Sequence, residues 1–91
     1  METRSERTYV AFVSTHPGTV LKDWLEEIGV KQKEFAAMIG VPATRLNELI
    51  KGKRAMTEDM AKRLSEALGS EVSFWLRLQA DYEYNERMLS L

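Results

Sequence analysis

The side chains with the clearest chemical potential lie between residues 31 and 54. This segment carries six Lys or Arg residues against two acids, whereas residues 1–30 carry three basic against five acidic residues and residues 55–91 carry four against seven. A net charge of −1 excludes a uniformly basic nucleic-acid binder. One positive segment between two negative ones is what a protein needs to meet phosphate with a single face. A chance cluster of charges on a solvated surface is the alternative.

Residue types that support catalysis or metal binding are sparse. The absence of cysteine excludes disulfides, thiolate metal sites and cysteine nucleophiles. The only histidine, His16, precedes a proline at a predicted helix start, which favours a capping or packing role over ligation or general-base chemistry. The adjacent acids Glu26–Glu27 and Glu58–Asp59 diverge on a helix, and no Gly-rich phosphate loop is present. We therefore expect a non-enzyme without cofactor or metal.

Apolar residues at helical spacing predict five helices, and a glycine follows each of the first four. Glycine adopts the left-handed conformation beyond a helix end without a steric penalty from Cβ, so a glycine at each of these places predicts a helix end. The glycines are Gly29, Gly40, Gly52 and Gly69. The predicted helices cover about 17–28, 32–39 and 42–51, then a stretch capped by Thr57, then a stretch from Ser70 or Ser73 to about Met88.

The second and third predicted helices form a helix-turn-helix. Only Gly40 and Val41 separate residue 39 from the next start at Pro42, and a short glycine-containing turn between two short helices is typical of this motif. An apolar side of the third helix, formed by Leu46, Leu49 and Ile50, predicts its buried face. Successive residues rotate by about 100°, so the side chains at 44, 48 and 51 point away from the core, with those at 45 and 47 on the flanks.

That outward face carries groups that can read DNA bases. Arg45 can pair with guanine and Asn47 with adenine, while Thr44 can contact a thymine methyl group or a phosphate. Glu48 would be repelled by phosphate unless it accepts from a cytosine amine or stays solvated at the edge.

Further side chains around this face can bind the DNA backbone. Gln32 begins the preceding helix, where its amide and the free backbone N–H groups can hold a phosphate together. Long basic side chains add affinity without sequence information. These are Lys33, Lys51, Lys53 and Arg54.

The last helix carries more apolar surface than a small core needs. Its spare face, with Trp75, Leu78 and Tyr82, is our predicted homodimer interface. Dimers of this kind place two recognition helices about 34 Å apart, one turn of DNA.

The 91 residues fit one domain. We expect an N-terminal arm over residues 1–15, flexible or forming a short strand, because residues 8–14 are rich in β-branched and aromatic types. The helix-turn-helix domain, with its C-terminal dimerisation helix, then occupies 16–91. No apolar run approaches the roughly 20 residues of a membrane span, and no signal peptide is visible, so a cytoplasmic protein without membrane contact is predicted.

Several motifs occur together across residues 16–84. They are His16-Pro17-Gly18, the stretch Gln32 to Ala36, the stretch Ile39 to Pro42, the stretch Arg45 to Arg54, Phe74-Trp75-Leu76, and Leu78 to Tyr82. Together they resemble the HigA antitoxins, a branch of the Xre/Cro-like helix-turn-helix proteins. The sequence departs from that pattern at Lys31, where a Ser or Thr usually caps the second helix.

The resemblance implies an all-α, five-helix, lambda-repressor-like DNA-binding domain. It further implies a homodimer that binds double-stranded operator DNA, represses its own operon and neutralises a HigB-like toxin, an mRNA endonuclease. By position, Gln32 corresponds to the phosphate-clamping residue, and Thr44, Arg45 and Asn47 to the operator-reading residues.

Two alternatives remain open from the sequence. One is a stand-alone Xre or phage-type transcriptional repressor without a toxin. The other is a protein-interaction module that has kept the fold and lost DNA binding, which the net negative charge and the acidic Glu48 on the recognition face would fit.

Overall fold

The computed structural model describes residues 15–90, and this part of the chain forms five helices. They are α1 (Pro17–Ile28), α2 (Gln32–Ile39), α3 (Ala43–Ile50), α4 (Glu58–Leu68) and α5 (Val72–Leu89). The described residues contain no strand, and none of their helices is both long and apolar enough to cross a membrane. The predicted all-α architecture of five helices, with a short turn between α2 and α3, is thus confirmed for these residues. The predicted N-terminal arm lies almost wholly outside the described residues.

The helix ends follow the local signals closely. All four predicted stop glycines have positive φ angles, between 74° and 78°. Thr57 caps α4 by accepting a hydrogen bond from the Met60 amide at 3.1 Å. Helix α3 is one residue shorter at each end than predicted, because Pro42 serves as its N-cap and Lys51 as its C-cap.

The start of α5 differs from the prediction. The helix begins at Val72 after the N-cap Glu71, so neither candidate serine caps it. Ser70 instead accepts a hydrogen bond from the indole Nε1 of Trp75 at 2.7 Å. The serine hydroxyl therefore accepts a hydrogen bond from a buried indole N–H. The local sequence does not show this contact, because it depends on the packing of Trp75 in the core.

Trp75 lies at the centre of the core. Its side chain is fully buried and packs edge-on against Trp24 with ring centroids 5.0 Å apart. The prediction that Trp75 forms a dimer interface is therefore wrong, because the chain's own core already covers the side chain. Leu78 and Tyr82 are only partly buried. The apolar residues of α5 thus lie on two faces, one buried in the core and one partly exposed, and helical spacing alone did not distinguish the two.

Candidate nucleic-acid interface

The turn between α2 and α3 fixes the angle of the second helix. Gly40 adopts the left-handed conformation (φ 74°), and the next amide, that of Val41, donates to the Ala36 carbonyl at 3.0 Å. This pair of features closes α2 in the manner of a Schellman motif. Val41 is buried, so the turn is anchored in the core before α3 begins.

Helix α4 holds the end of α2 through a residue that sequence reasoning missed. Arg63 donates from Nη1 to the Ile39 carbonyl at 2.7 Å and from Nε to Asp59 at 2.9 Å. A helix leaves its last carbonyls without partners, and a cation is favoured at that end. Arg63 therefore stabilises the C-terminus of α2 from a separate element, and only the packing of α4 on α2 brings it there.

Helix α1 holds α3 from the other side by direct backbone contact. A Cβ atom added to Gly18 would lie 1.9 Å from the Leu49 carbonyl oxygen, so only glycine permits this approach. Leu49 and Leu46 are themselves fully buried. Helix α3 is thus fixed by α1 and α2 along its apolar side, which gives the side chains on its other face defined positions.

The opposite side of α3 faces solvent. Thr44 and Arg45 are exposed, and Lys51 and Lys53 are exposed just beyond the helix. In the described part of the chain, no ion pair involves Arg45, Lys51 or Lys53. Lys33, on α2, is also exposed. These groups form an open surface with hydrogen-bond donors and positive charge, which suits an anionic polymer.

Gln32 and Asn47, which the sequence assigned to separate roles, contact each other. The Gln32 Nε2 donates to Asn47 Oδ1 at 3.1 Å, and both side chains are partly buried. The bond links the first residue of α2 to the middle of α3. Since Asn47 Oδ1 is engaged, the Asn47 amide offers its Nδ2 hydrogens most readily to another group. Bidentate pairing with adenine would require Oδ1 to accept a second hydrogen bond.

Glu48 and Arg54 form a second pair on the same surface. Arg54 donates from Nε at 3.1 Å and from Nη2 at 2.8 Å, both to Glu48 Oε1. The sequence treated Glu48 as an uncompensated charge and Arg54 as a phosphate contact. In the structure Arg54 compensates Glu48, while its contact with phosphate stays a prediction. Their separation of six residues is not a helical spacing that a pattern search would detect.

His16 packs beneath this surface. Its Nδ1 accepts a hydrogen bond from the Gly18 amide at 2.9 Å, capping α1, and its ring meets that of Tyr82 edge-on with centroids 4.8 Å apart. Burial lowers the pKa of His16, and a hydrogen bond with the Arg54 backbone opposes that shift. A neutral ring with Nδ1 as acceptor is what the cap requires. The predicted capping and packing role is confirmed.

Comparisons with known proteins agree with this architecture. The helix-turn-helix family matches residues 21–75, more than half of the chain. Virulence-associated protein A' of Dichelobacter nodosus is 39% identical over 72 residues, which cover 78% of this chain and 63% of that protein. Antitoxin HigA-1 of Vibrio cholerae is 36% identical over 63 residues, covering 68% of this chain and 59% of its own length. The chain thus spans less than two thirds of each of these relatives.

A solved structure extends the likeness to three dimensions. Pseudomonas aeruginosa antitoxin HigA, determined with the higBA promoter, superposes with a TM-score of 0.81 at 26% identity and covers 86% of each chain. The relatives named here are described as antitoxins or virulence-associated proteins, and none is described as an enzyme. The chain belongs to the helix-turn-helix family, and its structural neighbours include HigA antitoxins.

Proposed function

We propose that this protein is the antitoxin of a type II toxin–antitoxin module. It binds its operator as a dimer, represses its own operon and neutralises a HigB-like mRNA endonuclease. The observation that carries the proposal is the exposed polar surface of α3, held from behind by α1 and α2. The likeness to an antitoxin solved with promoter DNA supports the same conclusion.

The arrangement of charges favours DNA as the partner of this surface. Arg45 and Thr44 reach outward from α3 for base contacts, and Lys51 and Lys53 lie at its end for phosphate contacts. The pairing of Glu48 with Arg54 offsets the acidic charge on this surface, which was one of the two observations that fitted an interaction module without DNA binding. The surface as a whole therefore keeps its positive character.

The end of α5 supports a dimer. Leu78 and Tyr82 are only partly buried, and Met88 and Leu89 are 50% and 59% exposed. A single copy leaves this apolar surface in water, and a second copy would cover it. Leu89→Asp removes apolar surface at a position that the monomer leaves exposed, so the fold should tolerate it. We expect this variant to be monomeric in analytical ultracentrifugation and to lose affinity for a palindromic site more than for a half-site.

Binding to the DNA upstream of its own gene tests the repressor function. The wild-type protein should shift this DNA at concentrations that leave random DNA unbound, and the affinity should fall steeply with salt. Asn47→Ala should relax preference at one base pair. Lys53→Ala should weaken binding to all sequences alike and reduce the slope of log K against log salt by about 0.9. Two variants with identical selection profiles and salt slopes would contradict the placement of this surface.

Binding of a toxin distinguishes an antitoxin from a stand-alone repressor. Both would bind the operator, but only an antitoxin would form a complex with the product of a neighbouring gene and restore growth when the two are expressed together. Growth arrest by that product, relieved by this protein, is the expected result. A neighbouring product that is harmless and does not co-purify would leave the stand-alone repressor as the function.

A further inference from the structure

Glu48 occupies an unusual place on the proposed DNA surface. It is the single acidic residue of α3, and its side chain is 46% exposed on the outward side, among neighbours that are neutral or positive. A carboxylate held near phosphates is unfavourable unless another charge balances it. We therefore expect a positive side chain of the protein to balance Glu48 if this surface binds DNA.

Arg54 supplies the balancing charge and also fixes the orientation of the carboxylate. Its Nε and Nη2 both donate to the same oxygen, Oε1, at 3.1 and 2.8 Å. Within residues 15–90, no hydrogen bond reaches the other oxygen, Oε2. Glu48 is thus held by one oxygen and keeps the other as an acceptor.

The loop after α3 presents Arg54 in a defined position. Gly52 has φ 78° and donates to the Leu49 carbonyl at 3.0 Å, and the Lys53 amide donates to the Glu48 carbonyl at 2.8 Å. These two bonds form a Schellman motif that turns the chain back across the end of α3. His16 packs against the turn, since a Cβ on Gly52 would lie 3.8 Å from the imidazole Cγ. The Arg54–Glu48 pair therefore rests on an ordered turn.

The chemistry of a carboxylate restricts what Oε2 can bind. A carboxylate only accepts hydrogen bonds, and the donors on base edges in the major groove are the N4 amine of cytosine and the N6 amine of adenine. Guanine and thymine present oxygen acceptors at the equivalent position. We propose that Glu48 reads an exocyclic base amine through Oε2 and that Arg54 is its positioning residue, an inference that rests on the proposed DNA-binding function.

Selection from a library of randomised operators tests this assignment. The full-length wild-type protein should prefer cytosine or adenine over guanine or thymine at one position per half-site, by about five- to 150-fold, the range for one mismatched base pair. Glu48→Ala should abolish that preference and retain the others. Arg54→Ala should reduce the preference at the same position and weaken binding to all sequences, because it leaves Glu48 unbalanced. In the Glu48→Ala background, Arg54→Ala should no longer change any base preference.

Two further variants sharpen the test. Lys53→Ala is the matched control, because Lys53 is exposed on the same turn, and it should lower affinity without changing the preference at that position. Glu48→Gln keeps the shape and adds a donor, so the preference should move toward adenine. Circular dichroism melting curves should show that all these variants fold, since every changed side chain lies at the surface.

Two results would overturn the assignment. Glu48→Ala could leave every base preference unchanged, or it could tighten binding equally on all sequences, as expected of a charge that only repels phosphate. If the wild-type protein is sequence-selective, either result would refute the role of Glu48 and would leave the proposed operator binding intact. A wild-type protein without sequence preference would instead refute the proposed operator binding from which the assignment follows.

Discussion

Gly18→Ala separates helix propensity from tertiary packing, because the two predict opposite signs. Gly18 is the second residue of α1. Helix propensity alone favours alanine over glycine by up to about 1 kcal/mol. The structure predicts destabilisation instead, because the new Cβ would lie 1.9 Å from the Leu49 carbonyl oxygen and 2.9 Å from the Ile50 Cα. These are backbone atoms, so no side-chain rotation can relieve the clash.

The expected size of the effect follows from that geometry. Non-bonded carbon contacts are comfortable at about 3.5–4.0 Å, so α1 and α3 must separate by more than about 1 Å. Overpacking of this kind costs about 1–3 kcal/mol, and the separation also loosens the contacts around the buried Leu21 and Leu49. After the small gain in propensity, we expect a loss of about 2 kcal/mol in the free energy of unfolding. For a domain of this size that corresponds to a fall in Tm of roughly 8–16 °C.

Urea unfolding followed by circular dichroism measures this loss, and Gly29→Ala is the matched control. Gly29 has φ 77° and an added Cβ would meet nothing within 4 Å, so its cost is only the left-handed strain of about 1–2 kcal/mol. Gly29→Ala should leave operator affinity unchanged at temperatures where it is folded, whereas Gly18→Ala should weaken it by displacing α3. A Gly18→Ala protein as stable as the wild type, or more stable, would refute the close approach of α1 to α3.

Three further perturbations test individual contacts. Burial lowers the His16 pKa, so the unfolded chain takes up a proton first as pH falls below about 6.5, and the free energy of unfolding should decline from there toward the folded-state pKa. His16→Asn should flatten this decline when urea unfolding is measured at a series of pH values. Equal declines in the variant and the wild type would contradict the lowered His16 pKa. Gln79→Leu removes the acceptor of the buried Met56 amide (2.8 Å) and should cost about 1–3 kcal/mol in the same assay, so a change below about 0.5 kcal/mol would show another partner for that amide. Thr57→Ala should cost about 1 kcal/mol through the lost Met60 cap, while Thr57→Ser should be nearly neutral; equal losses would exclude the cap as the cause.

Much of the fold could be predicted because its signals are local. Apolar spacing placed α2 at the bounds that the structure shows, and the following Gly40 marked its end, because a left-handed residue beyond a helix is a property of a few neighbouring residues. The short separation between α2 and α3 then indicated the motif, and the apolar side of α3 indicated which of its side chains face solvent. The outward positions of Thr44 and Lys51 thus follow from the sequence through helix geometry alone.

The sequence determined the helices, the motif and the exposed face, whereas the tertiary structure decided which side chains meet. Helical periodicity shows that a face is apolar without showing what covers it, and so the sequence could not place Trp75 in the chain's own core. The bonds from Gln32 to Asn47 and from Arg63 to the Ile39 carbonyl join different helices, and Arg54 reaches Glu48 only across the turn at Gly52. Each contact depends on packing angles and chain reversals that no window of neighbouring residues contains, because they arise only when the helices share one core.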